Sequence, residues 1–351
     1  MADTQQIDYL SKIKLDLEAN RFADTSEINC GMFQLKSANK SLEESSMTSE
    51  PGALWKTLWN EGEVCCLFSD RCLGKSILAI QIAEEIARKQ KVLYFDFELS
   101  NKQFEKRYSN DGMNCQCDEI HLHRFPESLF RVTLDRTQMG LGNNLENLMS
   151  GMQQAVVTTG SKVLVIDSLS NLCNGLTKTN VMGKVMATLT EMAHTHNLSV
   201  LVLFRTSKRF LSTPIRWDNI DGRKRLHNFF DSAFAIGQSF LSPKLRYIIQ
   251  VKGKRNPFVH GKDNVIVCEI KKLGDAPKFV EVELANEKIH LRSNLQEEQM
   301  EFLQEIRQLQ ENGLTIREIA DLKNISKTRI FRLLDKVDKS SPLYYHVKFQ
   351  E

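Results

Sequence analysis

The sequence predicts an α/β fold: a mostly parallel sheet flanked by helices, followed by a small all-α domain. Three observations carry this. Between residues 54 and 290, short and nearly continuous apolar runs alternate with amphipathic stretches; a polar loop joins one such run to a helix; and helix-length segments without strands follow. Strands that are apolar along their whole length are buried on both faces, and helices on each side of a parallel sheet supply that cover.

A chain of 351 residues is long enough for one large core and a smaller appended domain. The expected division is an N-terminal arm and linker over 1–50, the α/β domain over 51–292, a helical domain over 293–340 and a tail over 341–351. A hydrophobic fraction of 41% and a charged fraction of 26% are those of an ordinary soluble chain. The net charge of +3 creates no strong global field, so any nucleic-acid surface has to be a local basic patch. Acidic Asp3 and Asp8, with no basic stretch leading into an apolar core, argue against a signal peptide. No window approaches the roughly 18 consecutive apolar residues that mark a membrane span. The expectation is a cytoplasmic protein with no membrane contact.

The elements follow in order. Ile7 to Phe22 has apolar residues three or four apart and reads as one amphipathic helix; Ser37 to Pro51, rich in Ser, Glu and Lys, reads as a linker. Val64 to Phe68 is a strand, Lys75 to Lys89 a helix, and Val92 to Phe97 a second strand. Met149 to Thr158 is helical, Lys162 to Asp167 a third strand, Val181 to His196 a helix and Leu198 to Phe204 a fourth strand. Ser232 to Ile236, Leu245 to Lys252 and Val265 to Lys271 come without intervening helices and are expected to extend the sheet as antiparallel strands and hairpins. Gln296 to Gln310, Ile316 to Leu322 and Thr328 to Val337 form the closing helices, separated by Gly313 and by the turn Asn324-Ile325-Ser326-Lys327. The eight cysteines contain no CxxC pair and read mostly as small buried hydrophobes of a reducing compartment. Cys115 and Cys117, followed by His121 and His123, are spaced more tightly than structural zinc pairs, which argues against a zinc site.

The loop carries the chemistry. Ser69-Asp70-Arg71-Cys72-Leu73-Gly74-Lys75-Ser76 fits G-x-x-x-x-G-K-[ST] except at its first position, and Ile77 continues into the helix. Backbone amides entering a helix N-terminus cradle phosphates. Gly74 lets the backbone approach closely. Lys75 places its charge on the terminal phosphates of ATP, and the Ser76 hydroxyl ligates magnesium. Ser69 stands where the backbone often favours glycine, which bears on turnover more than on binding.

Two carboxylates answer the loop. Asp167 ends the apolar strand Val163 to Ile166, where magnesium needs a partner at a strand's C-terminal end. Glu98 ends the second strand and can accept a proton from water attacking the terminal phosphate. Asp96 is the rival base, and Glu98 is preferred.

The run Phe97-Glu98-Leu99-Ser100-Asn101-Lys102-Gln103-Phe104-Glu105-Lys106-Arg107 resembles the strand-and-helix signature of DnaB-type helicases. The span 54–290 is similar to the RecA-like hexameric helicases of plasmids and mobile elements, the RepA type. That resemblance implies a RecA-like domain with Lys75 and Ser76 in its phosphate loop, Asp167 as the second acidic motif and Glu98 as catalytic base. It also places a phosphate-reporting residue at Arg205, where Gln or His is commoner, and a DNA-facing loop after it, with Lys208 and Arg209 on phosphates. A basic Lys-x-Arg hairpin would reach the next subunit's site; here Arg255 is the match, with Lys252 and Lys254 competing as its partner. A solvated basic loop or turn reads the same way in both places.

Thr315 to Leu334 resembles a helix-turn-helix. Ser326 caps the second helix, and Lys327, Thr328, Arg329 and Arg332 lie on its exposed side, suited to the major groove or phosphate backbone. Such units also serve as packing modules. The expected function is a DNA-associated ATPase using ATP and Mg2+, a replication-type helicase or loader of a mobile element. It would assemble as a homo-oligomeric ring with single-stranded DNA in its centre. The alternative is a nucleotide-gated DNA-binding regulator with ATP as an assembly switch. A recombinase would need a filament-forming N-terminal segment, and none is evident.

Overall fold

The computed structural model describes residues 28–31, 33–110, 121–134, 145–170, 181–206, 211–220, 224–254, 258–292, 294–323, 325–328 and 330–331. The helix expected between Ile7 and Phe22 lies outside them. The chain divides into two units, Met1–Gly52 and Ala53–Glu351.

In the first unit, β1 (Ile28–Cys30) pairs antiparallel with β2 (Phe33–Leu35). Helix α1 (Ala38–Ser46) follows, where the sequence predicts linker. Two local effects explain the difference. Ser37 caps the helix by accepting from Lys40 N, and the hydroxyls of Ser41 and Ser45 return to carbonyls four residues back. Serine-rich composition therefore closes hydrogen bonds inside the turn rather than opposing it.

The second unit opens with the hairpin β3 (Ala53–Trp55) and β4 (Trp59–Asn60). Then come β5 (Val64–Ser69), α2 (Lys75–Ala87), β6 (Val92–Asp96), α3 (Asn101–Arg107), the short pair β7 (Ser109–Asn110) and β8 (His121–Leu122), and β9 (Leu129–Val132). Helix α4 (Leu145–Thr159), β10 (Val163–Asp167), α5 (Val181–His196) and β11 (Ser199–Arg205) follow. Strands β12 (Ser232–Gln238), β13 (Leu245–Lys252), β14 (Val265–Leu273) and β15 (Ala276–Ala285) complete a nine-stranded sheet in the order β15-β14-β13-β12-β5-β11-β10-β6-β9. From β9 to β12 every neighbouring pair is parallel, and β13 to β15 extend the sheet antiparallel.

Strand β12 corrects an expectation. It runs parallel to β5, and among the described residues the crossing from β11 holds two 3-10 turns, Trp217–Asn219 and Lys224–Phe229, and no α-helix. Strand β9 has no counterpart in the sequence reading. It is four residues long and only half-buried at the sheet edge, so no apolar run announces it.

Alternation along β5 divides the core. Val64, Cys66 and Phe68 face the layer of α4 and α5, where Met149, Met152, Val156, Val185 and Leu189 pack. Cys65 and Leu67 face the layer of α2, with Leu78, Ile82 and Ile86. Among the described cysteines Cys65, Cys66 and Cys268 are buried, whereas Cys72 is exposed. Cys115 and Cys117 lie outside the described residues.

Helices α6 (Glu287–His290), α7 (Asn294–Glu311) and α8 (Ile316–Leu322) lead to the C-terminal end. Gly313, at φ +88°, turns the chain after α7, and Thr315 caps α8 in a reciprocal bond with Glu318. Ile306, Ile319, Ala320 and Ile330 form a small buried cluster of their own. Lys327, Thr328, Ile330 and Phe331 are helical, while the rest of the predicted third helix lies outside the described residues. No described helix is long and apolar enough to cross a membrane.

Candidate nucleotide site

Strand β5 delivers Ser69, and α2 begins at Lys75. Ser69 pairs in register with Arg205 on one side and Ile236 on the other, and its φ is not positive. Serine therefore sits at this position without backbone strain. The left-handed conformations fall later, at Cys72 (φ +61°) and Gly74 (φ +93°). At Gly74 a Cβ would also meet Ile270 Cδ1 at 2.8 Å and Phe279 Cε2 at 3.0 Å. Glycine is thus favoured by conformation and by the crowding of the Ile270 and Phe279 side chains, in addition to any approach of phosphate.

Within the loop the side chains separate by role. Leu73 is buried and Ile77 packs beside it in the α2 layer, so both offer the site only their backbone. Arg71 and Cys72 are exposed. Asp70 accepts from the Thr206 hydroxyl, which closes the loop onto the end of β11. Lys75 Nζ lies 3.4 Å from Ser69 O and 3.3 Å from Ser69 Oγ. Burial holds the Lys75 pKa below the usual lysine range, with the nearby carboxylates of Asp167 and Glu98 opposing that shift and Arg205 reinforcing it.

Asp167 stands at the end of β10, buried, with Tyr94 donating to Oδ2 at 2.6 Å. The Ser76 hydroxyl lies near enough to this carboxylate to favour its ionised form. Its Oδ1 is buried without a hydrogen-bond partner. Burial raises the Asp167 pKa to about 6, against Tyr94 and Ser76, which favour the ionised form. A buried orphan carboxylate oxygen beside a hydroxyl is a hard-oxygen donor set, and it fits magnesium held through Ser76 and Asp167.

Strand β6 ends at Asp96, so Glu98 stands two residues beyond the strand rather than at its end. The Glu98 carboxylate reaches Arg205 Nη2 at 3.6 Å from Oε1. Asp96 is buried and engaged elsewhere: Oδ1 accepts from Glu98 N at 3.0 Å and Leu99 N at 2.9 Å, and Oδ2 pairs with Arg131 at 2.8 Å. It organises the segment that carries Glu98.

The structure thus brings Lys75, Ser76, Asp167, Glu98 and Arg205 to one end of the sheet. Lys208, Arg209, Arg255, Arg329 and Arg332 lie outside the described residues. Lys327 and Thr328 are exposed on the C-terminal helical turn. Lys252 is held within its own chain, donating to His227 O at 2.9 Å and Phe230 O at 2.6 Å beneath Trp217. Lys254 pairs with Asp231 at 3.2 Å. The sequence reading missed Tyr94, Thr206 and Arg131. A tyrosine inside an apolar strand was the available signal for the first, since a buried hydroxyl needs a partner. A separate cavity of about 620 Å³ behind α2 has none of residues 69–76 in its lining; within it Trp55 Nε1 donates to Glu85 at 3.1 Å.

Residues 34–209 match the AAA domain family. The chain belongs to the AAA domain family. As an AAA-domain protein it is a P-loop ATPase by family, and ATP with magnesium is the nucleotide expected on Ser69 to Ser76. No curated protein matches this AAA-domain chain. Among solved structures it is similar to a KaiC-like protein from the hyperthermophilic archaeon Pyrococcus horikoshii OT3, at 14% identity and a TM-score of 0.45, over 63% of this chain and 91% of that one.

Proposed function

We propose that this AAA-domain protein hydrolyses ATP in association with DNA, as a replication-type helicase or loader of a mobile element working as a homo-oligomeric ring. The observation that carries the hydrolytic part is the meeting of Lys75, Asp167 and Glu98, whose charges act directly on one another at one sheet end. The loop amides and Lys75 would bind the triphosphate. Ser76 and Asp167 would hold magnesium, which offsets charge on the phosphate oxygens when bound. Glu98 would take the proton from the attacking water in line with the leaving group. Arg205 would report the terminal phosphate to the loop of Lys208 and Arg209, and Arg255 would act in the neighbouring subunit's site. Lys327, Thr328, Arg329 and Arg332 would contact duplex DNA through a helix-turn-helix. The cytoplasm is its proposed compartment.

The test compares the intact protein with Lys75→Ala and Glu98→Gln. Lys75→Ala is expected to lose nucleotide binding, and Glu98→Gln to bind ATP yet hardly cleave it. Equal turnover in all three overturns the mechanism.

A second reading is a nucleotide-gated DNA-binding regulator. The Arg205–Glu98 ion pair favours it, because a base held by a guanidinium is withheld from water. Single-stranded DNA that stimulates turnover, with unwinding of a forked duplex, supports the motor; ATP-dependent duplex binding without either supports the regulator.

A further inference from the structure

The segment after β6 has to present Glu98 to a water molecule, yet it belongs to no strand or helix. Its start is tied by Phe97 N donating to Asp167 O at 2.7 Å, and beyond that one guanidinium on the edge strand holds it. Arg131 stands opposite Tyr94 in the β6–β9 register, and its side chain spends each donor group on residues 96–101. Nε donates to Asp96 Oδ2 at 2.9 Å, Nη2 reaches the same oxygen at 2.8 Å and Leu99 O at 2.8 Å, and Nη1 donates to Asn101 Oδ1 at 2.8 Å. The guanidinium also lies over the Phe104 ring, 4.3 Å from its centroid. Asp96, held this way, accepts the backbone N–H of Glu98 and of Leu99 through its other oxygen.

The chain of contacts therefore runs Arg131 to Asp96 to the Glu98 backbone. Arg131 and Asp96 are largely buried, with side-chain exposures of 18% and 1%, whereas the Glu98 side chain is 40% exposed and meets only the part-exposed Arg205, at 3.6 Å, among the ion pairs of the described residues. A rigid mount beneath an exposed carboxylate is the arrangement a general base needs. Proton abstraction depends on hydrogen-bond reach, and a misplacement of about 1 Å can cost on the order of 100-fold in rate. Arginine suits the post because its planar fork engages several acceptors at once, which a lysine point charge cannot do.

We infer that Arg131 is a positioning residue for ATP hydrolysis, acting through Asp96 to fix the main chain from which Glu98 reaches the attacking water. This rests on Glu98 being the base.

The experiment measures steady-state turnover and fluorescent-nucleotide binding for the full chain and for Arg131→Lys, Asp96→Asn, Glu98→Gln and Arg131→Lys with Glu98→Gln. Arg131→Lys is expected to lower kcat roughly 10- to 100-fold with KM and nucleotide affinity changed by less than about threefold, since the phosphate loop is untouched. Asp96→Asn keeps an acceptor for both amides and weakens the charge pair, so its kcat falls less. In the Glu98→Gln background Arg131→Lys is expected to lower turnover no further. Loss of nucleotide binding in step with kcat, or a further drop in that background, overturns the inference and makes Arg131 merely structural. If Arg131→Lys does not fold, Asp96→Asn carries the same comparison. Undiminished turnover in Glu98→Gln instead sinks the reading of the base itself, so the two failures are distinct.

Discussion

Arg205 closes on Glu98, with Nη2 3.6 Å from Oε1, and so ties the end of β11 to the segment after β6. Both side chains are part-exposed, at 28% and 40%, so the pair is a weak tie worth less than about 1 kcal/mol. A terminal phosphate carries more charge than one carboxylate and can draw Arg205 away. Arg205→Gln is therefore expected to erase several-fold of the preference for a non-hydrolysable ATP analogue over ADP. Competition binding of the two nucleotides checks this; an unchanged preference removes Arg205 as reporter of the terminal phosphate.

Magnesium affinity is expected to depend on pH through Asp167. Burial raises its pKa to about 6, so protons compete with the metal as pH falls through that value, and affinity is full only above it. The Tyr94 hydroxyl favours the ionised carboxylate, so Tyr94→Phe should move the acid limb to higher pH. Magnesium titrations of fluorescent-nucleotide binding across the acid range read this directly. A flat profile, or an acid limb that Tyr94→Phe does not move, contradicts the assignment.

Gly74→Ala is expected to destabilise the fold as well as weaken nucleotide binding. A non-glycine residue at φ +93° costs about 1–3 kcal/mol, before the collision with Ile270 and Phe279 is counted. Gly274→Ala is the control: its φ is +62°, but a Cβ there meets nothing within 4 Å. Denaturant melts should show the larger loss at Gly74. Equal losses would mean that the contact with β14 and β15 contributes nothing.

Lys327 is exposed beside buried Ile330, on the helical turn proposed to meet DNA. Lys327→Ala is expected to weaken duplex binding across sequences alike and reduce the slope of log affinity against log salt by about 1. Fluorescence anisotropy over a salt series measures it. An unaltered slope assigns the unit to packing.

Legibility followed locality. Val181–His196 and Ile316–Leu322 are helices, and Leu245–Lys252 a strand, over the ranges the sequence predicts. The loop and its two carboxylates were readable because each sits at the end of an apolar run. What escaped depends on composition that hid local bonds, or on distant partners. The Ser37 to Pro51 stretch hid a helix because Ser37, Ser41 and Ser45 bond within it. The direction of β12 is set by its contact with β5 rather than by residues beside it. Arg131 gains its meaning only when β9 comes beside β6, where it engages Asp96 and leaves Glu98 as the carboxylate nearer Arg205.

Strand β5 is buried along its whole length and shares side chains with both layers of the core. Its last residue, Ser69, is therefore a fixed abutment: it cannot shift without disturbing two packed layers together. Its neighbours are tied to that abutment: Arg205 pairs with Ser69 in register and Thr206 N donates to Ser69 O at 3.0 Å, so the end of β11 inherits the position of β5.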